Sequence, residues 1–150
     1  MERNVPTIEA LSSEAVSLLD TLTVSDDRAT LVTLSGELGA GKTTFTQALA
    51  AHLGVSGAVT SPTFVLEKVY PLPEDTNRGF ARLVHIDAYR LDGGDALATL
   101  GWNALLGDSK NLIILEWPER VRDALPAPDC AITLTVLPDT SRAISYAYAR

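Results

Sequence analysis

The sequence predicts an α/β protein, a three-layer fold with a mostly parallel central sheet and a C-terminal antiparallel hairpin. Three observations predict it. First, Gly36-Glu37-Leu38-Gly39-Ala40-Gly41-Lys42-Thr43-Thr44 satisfies G-x-x-x-x-G-K-[ST] and stands between the apolar run Leu31-Val32-Thr33-Leu34 and an amphipathic stretch. That is the strand, turn and helix of a phosphate-binding P-loop. Second, residues 83–86 and 112–115 read as short strands, each followed at its carboxyl end by an acid, Asp87 and Glu116. Third, residues 131–137 and 143–149 alternate well enough to pair as a hairpin around Pro138-Asp139-Thr140-Ser141. Together they describe a P-loop NTPase-like fold.

Each element follows in order. Residues 7–22 carry Leu11, Ala15, Leu18, Leu19 and Leu22 at helical spacing, with Ser12-Ser13-Glu14 as the expected N-cap. Residues 29–35 are nearly continuously apolar, which suits a central strand covered on both faces. In the helix at residues 42–53, Phe45, Ala48, Leu49 and Leu53 form the buried stripe and Gly54 closes the end. His52, in its last turn, reads as a C-terminal cap and not as a metal ligand. A loop through Thr60-Ser61-Pro62-Thr63-Phe64 leads into a strand at 64–70, and the Pro- and acid-rich residues 71–79 form a surface loop or hairpin connection. After a strand at 82–86, residues 92–106 form an interrupted helical stretch with Leu97, Leu100, Leu105 and Leu106 turned inward and a break near Gly101-Trp102. Residues 112–115 are a second buried strand, whose ladder Pro118 ends.

With 150 residues, 46% of them hydrophobic and 21% charged, the chain is expected to be one domain over residues 1–150. Its apolar runs fall well short of the roughly 18 residues that cross a bilayer, so no membrane contact is expected. The N-terminal residues lack the basic and apolar regions of a signal peptide, and the one cysteine, Cys130, reads as a buried structural thiol, so a cytoplasmic protein is expected. The net charge of −7 argues against a domain that grips nucleic acid directly.

The P-loop spelling carries its own chemistry. Glycines let backbone N–H groups curl around phosphate oxygens, and the helix that follows aims its positive end at them. Lys42 is then the residue that reaches the β- and γ-phosphates, Thr43 the hydroxyl ligand of Mg²⁺, and Thr44 a partner of the α-phosphate. Hydrolysis also needs an acid for the metal and a means of orienting water. Asp87 and Glu116 each follow a strand, at the carboxyl ends where ligands bind in open α/β sheets. Either can hold Mg²⁺ directly or through water, and either can instead cap the next segment. Thr63 offers a hydroxyl in the loop where many P-loop proteins sense the γ-phosphate. Trp117, next to Glu116, covers the nucleotide or packs, while Trp102 packs.

With these residues assembled, the chain resembles the TsaE family, small bacterial P-loop ATPases required to make threonylcarbamoyladenosine in tRNA. The likeness covers nearly the whole length. It rests on Gly36 to Thr44, on Ser61-Pro62-Thr63-Phe64, on His85-Ile86-Asp87-Ala88-Tyr89-Arg90-Leu91 and on Glu116-Trp117-Pro118-Glu119. The resemblance implies ATP at the P-loop against Glu37, Leu38, Gly39, Ala40, Gly41, Lys42, Thr43 and Thr44, and Mg²⁺ on Thr43 and Glu116. It implies Thr63 in a switch-like loop and Asp87 as the second strand's acid. On the adenine side it implies contacts near Ser12 or Ser13 and from Arg142. It also implies partners, a threonylcarbamoyl-transferase subunit and that subunit's paralogue, with tRNA met only indirectly.

The reading that follows is a Mg²⁺-dependent ATPase, slow alone and regulated by partners, because the sequence offers no clear arginine finger in cis. A small-molecule kinase is the alternative, and the absence of an Arg-rich lid segment argues against it. A GTPase switch would need [NT]-K-x-D and D-x-x-G, and the sequence contains neither.

Overall fold

The computed structural model describes residues 2–37, 39–55, 67–76 and 78–149. In chain order the elements are β1 (Glu2–Val5), α1 (Ile8–Thr21), β2 (Thr30–Ser35), α2 (Lys42–His52), β3 (Glu67–Pro71), β4 (Arg82–Asp87), α3 (Asp95–Ala98), α4 (Trp102–Gly107), β5 (Asn111–Glu116), β6 (Cys130–Val136) and β7 (Arg142–Tyr148). Among the described residues the strands form one seven-stranded sheet in the order β1-β7-β6-β2-β5-β4-β3. Its centre is parallel: β2 pairs with β5 and β6, and β5 with β4. Its margins are antiparallel, with β3 on β4, β7 on β6 and β1 on β7.

Strand alternation divides the core into two layers. Val32 and Leu34 of β2 join Leu112 and Ile114 of β5 beneath α1 and α2, where Leu18, Leu19, Phe45 and Leu49 close over them. Leu31, Ile113, Leu115, Val84 and Ile86 face the other way, against Leu97 of α3 and Trp102 of α4. The three-layer, mostly parallel fold and its C-terminal hairpin are as the sequence predicts. The interruption at Gly101 is real as well: φ is +75° there, a left-handed turn that separates α3 from α4. Pro118 opens a short 3₁₀ turn, Pro118–Arg120. Trp102 packs as expected, its indole N–H donating to the Ala124 carbonyl at 3.3 Å.

Three expectations change. The cap of α1 is Thr7, whose hydroxyl accepts the Ala10 N–H at 3.1 Å, while Ser12 and Ser13 lie inside the helix. Strand β1 has no counterpart in the sequence reading, because only Val5 of its four residues is buried and backbone pairing to β7, not an apolar pattern, holds it. His52 does more than end α2, since its Nε2 lies 3.0 Å from the Ser12 hydroxyl of α1. Of the strand expected at 64–70, residues 67–70 fall in β3 and the start lies outside the described residues. Among the described residues, no helix is long and apolar enough to cross a membrane.

Candidate functional site

Where β2 ends, the backbone turns so close to β6 that a Cβ on Gly36 would stand 2.5 Å from the Leu134 carbonyl oxygen, and φ is +150°. Only glycine fits there. The loop then reaches Gly41, left-handed at φ +103°, which precedes α2 with no side chain capping the helix. The first helical bond runs from the Phe45 N–H to the Gly41 carbonyl at 2.8 Å. The N–H groups of the first turn therefore point toward the loop, with the positive end of the helix dipole behind them.

Lys42 opens α2 and folds back over this loop. Its ammonium donates to the carbonyls of Gly36, at 2.5 Å, and Glu37, at 3.0 Å, and lies 4.4 Å from the centre of the Trp117 ring. The side chain is buried, and burial lowers its pKa below the ordinary lysine value against the opposing pull of Glu116, Asp87 and Glu119. Those acids arrive from the sheet. Asp87 and Glu116 end neighbouring parallel strands and stand in direct register. Asp87 Oδ1 accepts the Tyr89 N–H at 3.0 Å, which turns the chain sharply out of β4. Glu116 is only 3% exposed, and its Oε2 lies 2.5 Å from His85 Nε2. Trp117, at φ +61°, donates its backbone N–H to Leu34 of β2 at 3.1 Å, which anchors the residue beside the loop. Tyr89 packs on that indole with ring centres 4.9 Å apart, and the Arg120 guanidinium sits 5.3 Å from the Tyr89 ring.

These groups line a cleft of about 350 Å³ formed by Gly39, Gly41, Lys42, Thr43, Thr44, Asp87, Tyr89, Arg90, Glu116 and Trp117. Eight of the ten are residues that the sequence singles out. A cleft so built can receive phosphate oxygens on the helix terminus and the ammonium, with hydroxyl and carboxylate oxygens beside them for a hard cation. Glu37 contributes its carbonyl to Lys42, and Ala40 is buried with its N–H on the Glu37 carbonyl at 3.0 Å, so both shape the loop from behind. Leu38 and Thr63 lie outside the described residues.

A second cavity of about 280 Å³ adjoins the first and shares Gly39, Gly41 and Thr44 with it. Arg142 lines it and donates to the Gly39 carbonyl at 3.1 Å, which ties β7 to the loop. Ser13 is not among its lining residues, and its hydroxyl donates to the Glu9 carbonyl at 3.2 Å. The wall from the N-terminal segment is Val5, Pro6, Thr7, Ile8 and Leu11, the end of β1 with the cap and first turn of α1. Sequence reasoning also gave no role to Tyr89, Arg90 and His85. Tyr89 and Arg90 were within reach of it, since they directly follow Asp87, whereas the burial of His85 has no local signature.

The family described as "Threonylcarbamoyl adenosine biosynthesis protein TsaE" has a model that matches residues 6–144. Among curated proteins, the "tRNA threonylcarbamoyladenosine biosynthesis protein TsaE" of Treponema pallidum is 36% identical over 81% of this chain and 84% of its own length. The protein of the same name from Bacillus subtilis is 34% identical over 77% of this chain and 68% of its own. That of Streptomyces coelicolor is 54% identical, but the match spans 59% of this chain and little more than half, 57%, of the relative. Among solved structures, the crystal structure of Bacillus subtilis YdiB superposes with a TM-score of 0.72 at 26% identity, covering 100% of this chain and 86% of that one.

Proposed function

This chain belongs to the TsaE family of threonylcarbamoyl adenosine biosynthesis proteins, and from that premise we propose that it is the Mg²⁺-dependent ATPase subunit of tRNA threonylcarbamoyladenosine synthesis. The observation that carries the ATPase reading is the convergence of Lys42, the uncapped start of α2 with Thr43 and Thr44, and the carboxylates of Asp87 and Glu116 on one cleft.

The donor set fits Mg²⁺ with nucleotide. Among the described residues there is no group of three or more His, Cys, Asp or Glu able to hold a metal ion. Mg²⁺ does not need such a cage: it takes one or two carboxylates and completes its shell with waters and substrate phosphates. Thr43, Glu116 and Asp87 are the residues that would hold it. When bound, the ion neutralises charge developing on the transferred phosphoryl group.

The chain's own residues do the rest. First-turn N–H groups of α2 orient the phosphates. Lys42 exchanges carbonyl partners for phosphate oxygens, a stronger match because both sides are charged. Trp117 and Tyr89 wall the cleft and keep water from its side, and Thr63 is the residue proposed to sense the γ-phosphate. The adjoining cavity, with Arg142 at one edge, receives the base, and Ser13 contributes at most through α1. The acidic surface suits contact with protein subunits, so the work of hydrolysis goes to a threonylcarbamoyl-transferase subunit and its paralogue in the cytoplasm, with tRNA adenosine 37 modified by that complex.

Calorimetric titration of the full chain with ATP and with GTP, each with and without Mg²⁺, tests the nucleotide site. Tight Mg²⁺-dependent ATP binding is expected, and its absence would refute the reading. Turnover of the chain alone should be slow and should rise when the two partner subunits are added. Turnover on the order of tens per second without them, a level usual for self-sufficient phosphoryl-transfer enzymes, would contradict partner dependence.

A further inference from the structure

Resting on the reading of Glu116 as a Mg²⁺ ligand, we propose that His85 is a positioning residue whose Nε2–H holds Glu116 Oε2, so that the carboxylate presents its other oxygen to the cleft. The geometry is set by the sheet. His85 lies on β4 in register with Ile114 of β5, two residues before Glu116, so the two side chains are diagonal neighbours on one face. That face is the one that carries Asp87 and lies toward α2. The pair is closed to water, with side chains 0% and 3% exposed, and the contact is 2.5 Å.

The direction of the bond follows from what each group can do. A carboxylate only accepts, so the proton sits on the imidazole Nε2. Among the described residues, Nδ1 is buried without a hydrogen-bond partner. An unpaired buried atom is tolerated best as a lone pair and worst as an N–H, which again places the proton on Nε2. Leucine would fill this position, on the face of Leu83 and Ile114, and leave no orphan atom. What leucine cannot supply is the donor. Oxygens that bind metals are commonly held by such an outer partner, which fixes the ligand's orientation before the ion arrives.

The experiment uses the full chain as wild type, His85→Leu and His85→Gln, with folding checked by circular dichroism. Mn²⁺ replaces Mg²⁺ as a paramagnetic probe, titrated in the presence of ATP and followed by electron paramagnetic resonance. In parallel, long-range proton–nitrogen NMR of the wild type without nucleotide reads the imidazole tautomer. His85→Leu is expected to raise the Mn²⁺ concentration for half-saturation by about 10- to 100-fold, the usual cost of losing an outer partner. ATP binding without metal should change little. His85→Gln, which restores a donor, should recover most of the loss. The tautomer should be the Nε2-protonated one.

Wild-type Mn²⁺ affinity in His85→Leu, or protonation at Nδ1, would overturn the proposal. Failure of the wild type to bind Mn²⁺ with ATP would overturn the Mg²⁺ reading and the proposal together, and it is told apart from the first case by the wild-type titration alone. The tautomer is read on the unaltered chain, so it decides even if His85→Leu does not fold.

Discussion

The ammonium of Lys42 lies 4.4 Å from the centre of the Trp117 indole and donates at the same time to the carbonyls of Gly36 and Glu37. A cation over an aromatic face is held by the ring's quadrupole and alters the environment that the excited indole senses. Nucleotide that draws Lys42 onto phosphate must loosen this contact. ATP with Mg²⁺ should therefore change the fluorescence of Trp102→Phe, which keeps Trp117, and leave Trp117→Phe silent. Trp102 is buried in the opposite layer with its N–H on Ala124, remote from the loop. A signal that follows Trp102 would separate the Trp117 segment from the nucleotide.

Lys42→Ala should weaken ATP binding by about 10- to 100-fold, the equivalent of one charged hydrogen bond of roughly 1.5–3 kcal/mol. The fold should survive. The substitution takes the ammonium from the Gly36 carbonyl and from the Glu37 carbonyl, which keeps the Ala40 N–H, but also removes a buried charge, and these effects oppose each other. Thermal melts would show a small shift, and calorimetry the affinity. Because burial lowers the Lys42 pKa, affinity should also fall on raising pH at a lower pH than an ordinary lysine would give. Affinity that is flat through that range would mean that the ammonium does not serve the ligand.

How much of this was legible in the sequence depends on how far apart the cooperating residues lie. The P-loop was legible because glycine turn, lysine and helix start are spelled within nine residues, Gly36 to Thr44. Asp87 and Glu116 were legible because each stands at the carboxyl end of its own short strand. That the two stand in register was not, since β4 and β5 are paired by the fold and not by any local pattern. For the same reason the parallel pairing of β6 with β2, which demands the glycine at position 36, became visible only in three dimensions. The cap of α1 was misread at Ser12-Ser13-Glu14 because hydroxyl residues mid-helix resemble a cap in sequence, while Thr7 actually caps α1. His85 looks like any strand residue until its complete burial is known.

Cys130 supplies a pH dependence that owes nothing to the cleft. Burial pushes its thiol from 9.0 up to about 12, aided by the Asp129 carboxylate and opposed by a backbone hydrogen bond from Ala147. Above pH 9 the unfolded chain loses this proton while the folded chain keeps it, so the unfolded state binds fewer protons and stability falls as pH rises. The contribution is complete below pH 9 and disappears between pH 9 and about 12. Between pH 8 and pH 10.5 the wild type should lose about 2 kcal/mol more than Cys130→Ala, at about 1.4 kcal/mol per unit beyond pH 9. Urea unfolding at the two pH values measures it. Equal losses in the two proteins would show that the thiol ionises as freely as in water.

The two acids of the cleft should separate by what else each one holds. Asp87 Oδ1 already accepts the Tyr89 N–H and keeps the turn after β4 in shape, so Asp87→Ala should disturb the Tyr89 and Trp117 wall as well as any metal contact. Glu116 is buried with one oxygen on His85 and lines the cleft. Glu116→Ala should therefore raise the Mg²⁺ concentration for half-maximal ATP binding more than Asp87→Ala does, by about 10- to 100-fold if the loss equals one charged contact of roughly 1.5–3 kcal/mol. Glu116→Ala also strands the His85 N–H in the core, at a cost of about 1–3 kcal/mol of stability. Glu116→Gln removes that ambiguity, because the amide oxygen can still accept from His85 while the charge for the metal is gone. Glu116→Gln should thus melt close to wild type yet bind Mg²⁺ as poorly as Glu116→Ala. If Glu116→Gln keeps the wild-type Mg²⁺ dependence and only Asp87→Ala loses it, the metal belongs to Asp87, and the pair of His85 and Glu116 is a structural contact of the sheet.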